Sequence, residues 1–302
     1  MTNAGALHIR AQVLQTIRTF FAERGFLEVE TPLCIPANAP EEYIDPIPAL
    51  SSWQLQTSPE VCMKRLLCRG FNKIFQICRC WRANERGTRH LSEFTMLEWY
   101  RADADYTVLM DDCTGLLQRV AQNCIPDHRF RRNGSLFDPF NAWTNLGVQE
   151  AFSHFAQTNA LDSAKNGTFD ELLTDHIEPG LAQFPVPVIL KDYPASMAAL
   201  SRLKADDPDF AERFELYVGG LELANGFSEL TDPLEQRSRF VEANKIRVQR
   251  GRQPLPLPEP FLSELHAMPR SAGIALGVDR LVMLTTGADS IDQVVAFTPE
   301  SL

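Results

Sequence analysis

The stretch FELYVGGLELANGFSELTD, Phe214–Asp232, decides the fold. Two apolar, alternating runs meet at Gly219-Gly220, and such a two-residue link between strand-like runs makes a β-hairpin. In that register Tyr217 stands opposite Glu222. Glu215, two residues earlier, then lies on the same face as Glu222 and diagonal to it. Glu215, Glu222 and Glu229 recur at a spacing of seven. Two carboxylates converging across a hairpin, with few charges nearby to pair them, suit a hard divalent cation carrying phosphates. Asn225-Gly226 is expected to break the second strand, which lets Glu229 point where alternation alone would not send it. A solvated acidic face is the plainer alternative for the same residues.

Some forty residues on, SAGIALGVDRLVML (271–284) brings in Arg280 through a glycine-rich approach. Upstream, KIFQICRCWRANERGTRHLSEFTMLEWYR (73–101) contains two alternating runs, 74–82 and 93–100, separated by a polar loop with one glycine. This reads as a long antiparallel hairpin. Phe94, Met96, Glu98 and Tyr100 share one face of its second strand. Arg82 ends the first strand, and Glu85, Arg86, Arg89 and His90 populate the loop. An arginine can hold a phosphate through two hydrogen bonds, and a phenylalanine face can take a base. At the start of the chain, Leu7, Leu14, Ile17 and Phe21 recur at helical spacing, Gly25 is a stop signal, and FLEVET leads to Pro32.

These blocks resemble motifs 1, 2 and 3 of the class II aminoacyl-tRNA synthetases: the helix–Gly25–FLEVETP segment, the Arg82…Glu93-Phe94 hairpin and GVDR ending at Arg280. TSPE (57–60), EFTMLEWY (93–100) and ELANGFSEL (222–230) are similar to the lysyl branch. The likeness runs from about residue 7 to the C-terminus. It implies an α/β (α+β) catalytic core, an antiparallel sheet flanked by helices. The chain begins at the catalytic helix, so a single domain over 1–302 without an anticodon-binding domain is expected. That combination resembles the truncated lysyl-tRNA synthetase paralogues that load a lysine-type amino acid onto a lysine of elongation factor P.

Composition agrees with a bare core. A chain of 302 residues, 44% hydrophobic, can bury one sizeable α/β domain. No run is long and apolar enough to span a bilayer, and the N-terminus lacks a signal core, so no membrane association is expected. Seven cysteines without a secretion signal point to a reducing cytoplasm. Cys78 and Cys80 face the same side of a strand, but no second pair stands at zinc spacing, and buried thiols are the better reading. The net charge of −10 disfavours a polyanion such as tRNA as partner. Basic clusters at 129–132 and 245–252 leave room for a local acidic contact. Residues 36–48 are expected to form a mobile loop near the site, 125–145 an irregular stretch, and 146–160, 168–183 and 236–249 helices. The run 186–194 reads as a buried strand, and 252–260 as a proline-rich loop.

The resemblance implies the chemistry. A carboxylate attacks the α-phosphate of ATP and expels pyrophosphate, so catalysis is positioning and charge neutralisation. Arg82 would hold the α-phosphate and the amino-acid carboxylate, and Arg280 the γ-phosphate. Phe94 would stack on adenine, with Asn84, Glu85, His90, Leu91, Leu223 and Gly277 around the nucleotide. Glu215 and Glu222 would hold Mg2+. For lysine or β-lysine, Glu60 with Ser58 would meet the backbone-side amine and Asn225 the carboxylate. Glu229 and Tyr100, with Glu98 beside them, would take the distal ammonium. Motif 1 implies a homodimer.

Three positions depart from the family pattern. Asn84 replaces a glutamate, so either Glu85 or the Asn84 amide reaches the adenine edge. Leu91 replaces an asparagine and removes one polar contact to the nucleotide. Ala275 stands where the tRNA-charging relatives have glycine, and a methyl there fits an isomer with a displaced amino group, namely β-lysine. A minimal lysyl-tRNA synthetase, an adenylating enzyme with another acceptor and a non-catalytic paralogue are the alternatives.

Overall fold

The computed structural model describes residues 4–302. Its first element, α1 (Ala4–Glu23), buries Val13, Ile17, Phe20 and Phe21 on one stripe. It is followed by Gly25 at φ 73°, a left-handed position that favours glycine. Phe21 stacks on Phe75 at 4.8 Å between ring centroids and lies 5.1 Å from Trp99. Truncating such a buried aromatic costs about 3–5 kcal/mol.

Among the described residues the main sheet has eight strands: β1 (Leu27–Glu28), β2 (Lys73–Trp81), β3 (Glu93–Ala102), β4 (Thr144–Gly147), β5 (Val188–Pro194), β6 (Phe210–Val218), β7 (Leu221–Ser228) and β8 (Ser271–Gly277). Their spatial order is β1-β2-β3-β8-β7-β6-β5-β4. The six central strands are antiparallel, as expected, but both edge pairs, β1 with β2 and β4 with β5, are parallel. A parallel pair needs a long crossover. The first passes through α2 (Glu60–Cys68), the second through the helical segments between 148 and 181. Phe75, Leu97 and Trp99 pack towards α1, α3 (Tyr106–Cys124) and α5 (Val278–Thr286). Ile74 and Tyr100 pack on the opposite face, with residues of α2 and α4 (Pro233–Gln249).

The β6–β7 hairpin turns through Gly219 and Gly220 at φ 58° and 70°, the paired left-handed residues of a tight hairpin turn. Tyr217 pairs with Glu222, but Leu216 pairs with Ala224 and Glu215 with Asn225. One extra residue, Leu223, therefore bulges from β7. This corrects the expected strand break: β7 runs unbroken through Asn225-Gly226 to Ser228, and the change of phase occurs earlier, at the bulge.

The helices expected over 146–160 and 168–183 are present in pieces, each interrupted by a π-helical turn, Phe152–Ala156 and Leu173–Ile177. The stretch 125–145 holds a small hairpin, Phe130–Arg132 with Ser135–Phe137. The loop at 41–45 is pinned rather than loose. Buried Arg247 donates to the carbonyls of Glu41 and Ile44 and to Asp45, and Arg252 binds Tyr43 O and Asp45. Arg247 and Arg252 are thus engaged inside this fold. In the other basic cluster, Arg132 is buried and donates to Gly219 O. Among the described residues no helix is long and apolar enough to cross a membrane. All seven cysteines are free thiols, with Cys78 and Cys80 Sγ 3.9 Å apart.

Candidate active site

A cavity of about 250 Å3 opens on the face of the sheet that carries Phe94 and Met96, and the end of β2, the 82–91 loop, β3, β7, β8 and the start of α5 build it. Arg82 follows β2 directly; its guanidinium lies 5.2 Å from the Phe94 ring centroid, and its Nε is buried without a hydrogen-bond partner. An orphaned guanidinium N–H beside an aromatic face is a ready anion site. Glu85, His90, Leu91, Leu223, Asn225, Ala275 and Gly277 line the same cavity. Asn84 does not: it occupies a turn at φ 63°, and Glu85, 3.9 Å from Arg82, faces inwards instead. Leu91 is packed into the core as well. At Gly277 a methyl would come no closer than 3.6 Å to any neighbour, so there is room beside Arg280.

Arg280 is already placed by its surroundings. It donates to Glu222 O at 2.7 Å, to Glu222 Oε2 at 3.2 Å, and to His90 Nε2 at 2.6 Å. Burial, and then the Arg280 charge, push the His90 imidazole down to about 4, so it is a neutral acceptor. Burial works to raise the Glu222 carboxyl, but the charge and hydrogen bond of Arg280, joined by the Arg213 and Arg82 charges, together hold it below its usual range.

The second carboxylate behaves differently. Glu215 Oε1 accepts from Arg213 at 2.7 Å, and Oε2 accepts from Tyr193 and Tyr217 at 2.6 Å each. The expectation of few charges nearby is therefore wrong: Arg213 shares its strand face, two residues away. Glu215 does not reach the cavity wall. Among the described residues no group of three or more His, Cys, Asp or Glu side chains is arranged to hold a metal. Mg2+ commonly uses one or two carboxylates with substrate phosphates. Glu222 fits that pattern; Glu215, with both oxygens engaged, does not in this arrangement.

Behind Ala275 and Asn225 lies an acidic cluster with little access to water. Ala275 pairs across the sheet with both Glu98 and Asn225. Glu98 Oε1 accepts from Ser58 at 2.5 Å and Oε2 from Tyr100 at 2.7 Å, so the two hydroxyls expected on substrate amines rest on this carboxyl. Burial, then Glu60, push Glu98 up to about 7. Burial pushes Glu229 up to about 8, with Lys64 working against it. The Lys64 ammonium, fully buried, lies 2.5 Å from Glu60 Oε1 and 2.5 Å from Glu229 Oε2. Asn225 Oδ1 accepts from Arg213 at 3.1 Å, which leaves its amide NH2 to donate. Gly273 is the floor: a methyl there would lie 2.2 Å from Tyr100 Cε1 and 2.4 Å from Glu229 Oε1.

Residues 2–301 match the family of class II tRNA synthetases of the D, K and N type. This chain belongs to that family. The class II synthetase chain is also 41% identical over 306 aligned positions to proteins named elongation factor P–(R)-β-lysine ligase from Salmonella gallinarum, Salmonella heidelberg and Salmonella agona. The match covers 96% of this chain and 93% of each relative. Family membership and the ligase relatives make it an enzyme of the ligase class. The class II core brings together Arg82, Glu85, His90, Leu91, Phe94, Glu222, Leu223, Gly277 and Arg280 in one group, and Ser58, Glu60, Glu98, Tyr100 and Glu229 in a second.

Several participants escaped the sequence reading. Lys64 was detectable in part, one helical turn after Glu60. Arg213 was detectable by alternation with Glu215. Glu41, a half-buried carboxyl lining the cavity and pushed up to about 7 by burial, lies in the proline-rich loop and had no signal of its own.

Proposed function

We propose that this chain uses ATP to activate lysine or (R)-β-lysine as its adenylate and transfers it to a lysine side chain of elongation factor P. The observation that carries the reading is the excess of buried carboxyls. Among the described residues, Glu60 and Glu229 pair with one cation, Lys64, and buried Glu98 stands beside them, behind a cavity that ends in Arg82. Buried charge demands compensation. A diamino acid supplies two ammonium groups for the cluster and one carboxylate for Arg82 and the Asn225 amide.

In this reading Glu60 binds the backbone-side amine and Glu229 the distal ammonium, with Tyr100 and Ser58 holding Glu98 between them. Phe94 and Leu223 take the adenine, and Arg280 leaves Glu222 for the terminal phosphate. Glu222 would help hold Mg2+, which neutralises phosphate charge when bound. The acceptor rests on the relatives' names, and the net charge of −10 agrees with an acceptor other than tRNA.

The test is ATP–pyrophosphate exchange with α-lysine, β-lysine, ornithine and norleucine, followed by incubation of the activated system with elongation factor P or with total tRNA. Exchange restricted to diamino acids and mass gain on the protein are expected. Exchange with norleucine equal to that with lysine would remove the substrate assignment, and tRNA charging with unmodified protein would replace the acceptor.

A further inference from the structure

We propose that Lys64 is a positioning residue that fixes the distance between the two substrate-amine sites and so selects among lysine isomers. The proposal rests on the reading of Glu60 and Glu229 as amine ligands. Lys64 itself belongs to none of the motifs that suggested that reading.

A lysine with no solvent exposure is unusual, and its ammonium requires close partners. Its partners are two carboxylates from opposite sides of the site. Glu60 opens α2 one turn earlier, and Glu229 follows β7, 165 positions along the chain from Lys64. The ammonium takes one oxygen from each: Oε1 of Glu60 and Oε2 of Glu229. Glu60 Oε2 is left over, and Glu229 Oε1 is buried without a hydrogen-bond partner, against Gly273. Beneath the ammonium the Phe227 ring lies 5.1 Å away and blocks a swing to that side.

Two spare oxygens on two carboxylates clamped to one ammonium are two fixed docking points for cations. Burial raises the cost of moving any of the three groups, because each would leave another unpaired. Lysine isomers differ in the number of carbons between their amines, so a clamp that sets the separation of Glu60 and Glu229 discriminates by spacing. Ala275, packed between Glu98 and Asn225, limits how the carbon chain can bend to compensate. Burial would otherwise work to discharge the Lys64 ammonium; Glu229 and Glu60 keep it charged.

The measurement is the ratio of kcat/KM for β-lysine to that for α-lysine, by pyrophosphate exchange, in wild type, Lys64→Arg and Lys64→Ala. Thermal unfolding is followed in parallel. Lys64→Arg keeps the charge but moves it outward. It should fold, raise KM about tenfold or more with a smaller change in kcat, and shift the isomer ratio at least fivefold. Lys64→Ala should lose the discrimination, and added methylammonium should restore part of it. An isomer ratio unchanged in folded Lys64→Arg overturns the proposal, whatever happens to absolute activity. If Lys64→Ala unfolds, the arginine variant alone decides. Wild type that activates no diamino acid would instead refute the underlying substrate reading, a separate outcome visible before any variant is made.

Discussion

Glu222 and Asn225 face the same cavity although they stand three positions apart along a single strand. In a regular strand, residues three apart face opposite sides. The bulge at Leu223 restores the match, and it also brings Phe227 and Glu229 onto the working face. One extra residue thus joins the phosphate end of the site to the amine end.

Glu222 is the cavity carboxyl that pairs with Arg280, and Arg280 with Arg213 and Arg82 holds it below its usual range. Glu222→Gln should remove most pyrophosphate exchange while leaving the thermal unfolding temperature within a few degrees of wild type. Exchange near the wild-type rate at saturating Mg2+ would show that phosphate charge is neutralised elsewhere.

Glu229→Gln removes the charge partner of a desolvated ammonium. The loss should be about 2–4 kcal/mol in transition-state binding, roughly thirty- to a thousandfold in kcat/KM for lysine. Norleucine, which lacks the distal amine, is the control. Its binding, read as inhibition of lysine-dependent exchange, should be unchanged, and an equal loss for both amino acids would mean that Glu229 does not read the ammonium.

Gly273→Ala tests the floor of the amine pocket. The added methyl would meet Tyr100 and Glu229 at 2.2–2.4 Å, far inside contact distance and against groups packed in place. Overpacking of this kind costs about 1–3 kcal/mol of stability. The expected signature is a lowered unfolding temperature together with a raised KM for lysine and an unchanged KM for ATP. A variant with wild-type KM for lysine would place the substrate elsewhere.

Stability should depend on pH through the acidic cluster. Glu98 and Glu229 are raised to about 7 and about 8, so between the ordinary carboxylate range and those values the folded chain holds protons that the unfolded chain has released. Their contribution is fully present at pH below the ordinary range and is lost as pH rises through 7 to 8. The substrate-free protein should therefore unfold at a lower temperature at pH 8.5 than at pH 6. Saturating lysine, by supplying the missing cations, should stabilise more at pH 8 than at pH 6. Differential scanning calorimetry across that range checks both signs, and Glu229→Gln should flatten the slope.

The two hairpins, α1 with its stop at Gly25, and the placing of Arg82, Phe94, Glu222 and Arg280 were legible in the sequence, because alternation, a Gly-Gly turn and helical spacing are local properties. The sequence also supported the class II likeness through its motif strings. The bulge was not legible, since Leu223-Ala224 is apolar at both positions and a slip of one residue leaves the hydrophobic pattern almost unchanged. Nor were the pairings of Lys64 with Glu229, Ser58 with Glu98 and Arg247 with the 41–45 loop. Each joins residues 40 to 206 positions apart. Such partners are chosen by which strands lie side by side and which helix covers them. Burial then forces the charges brought together there to find one another, and that demand exists only once the chain has folded.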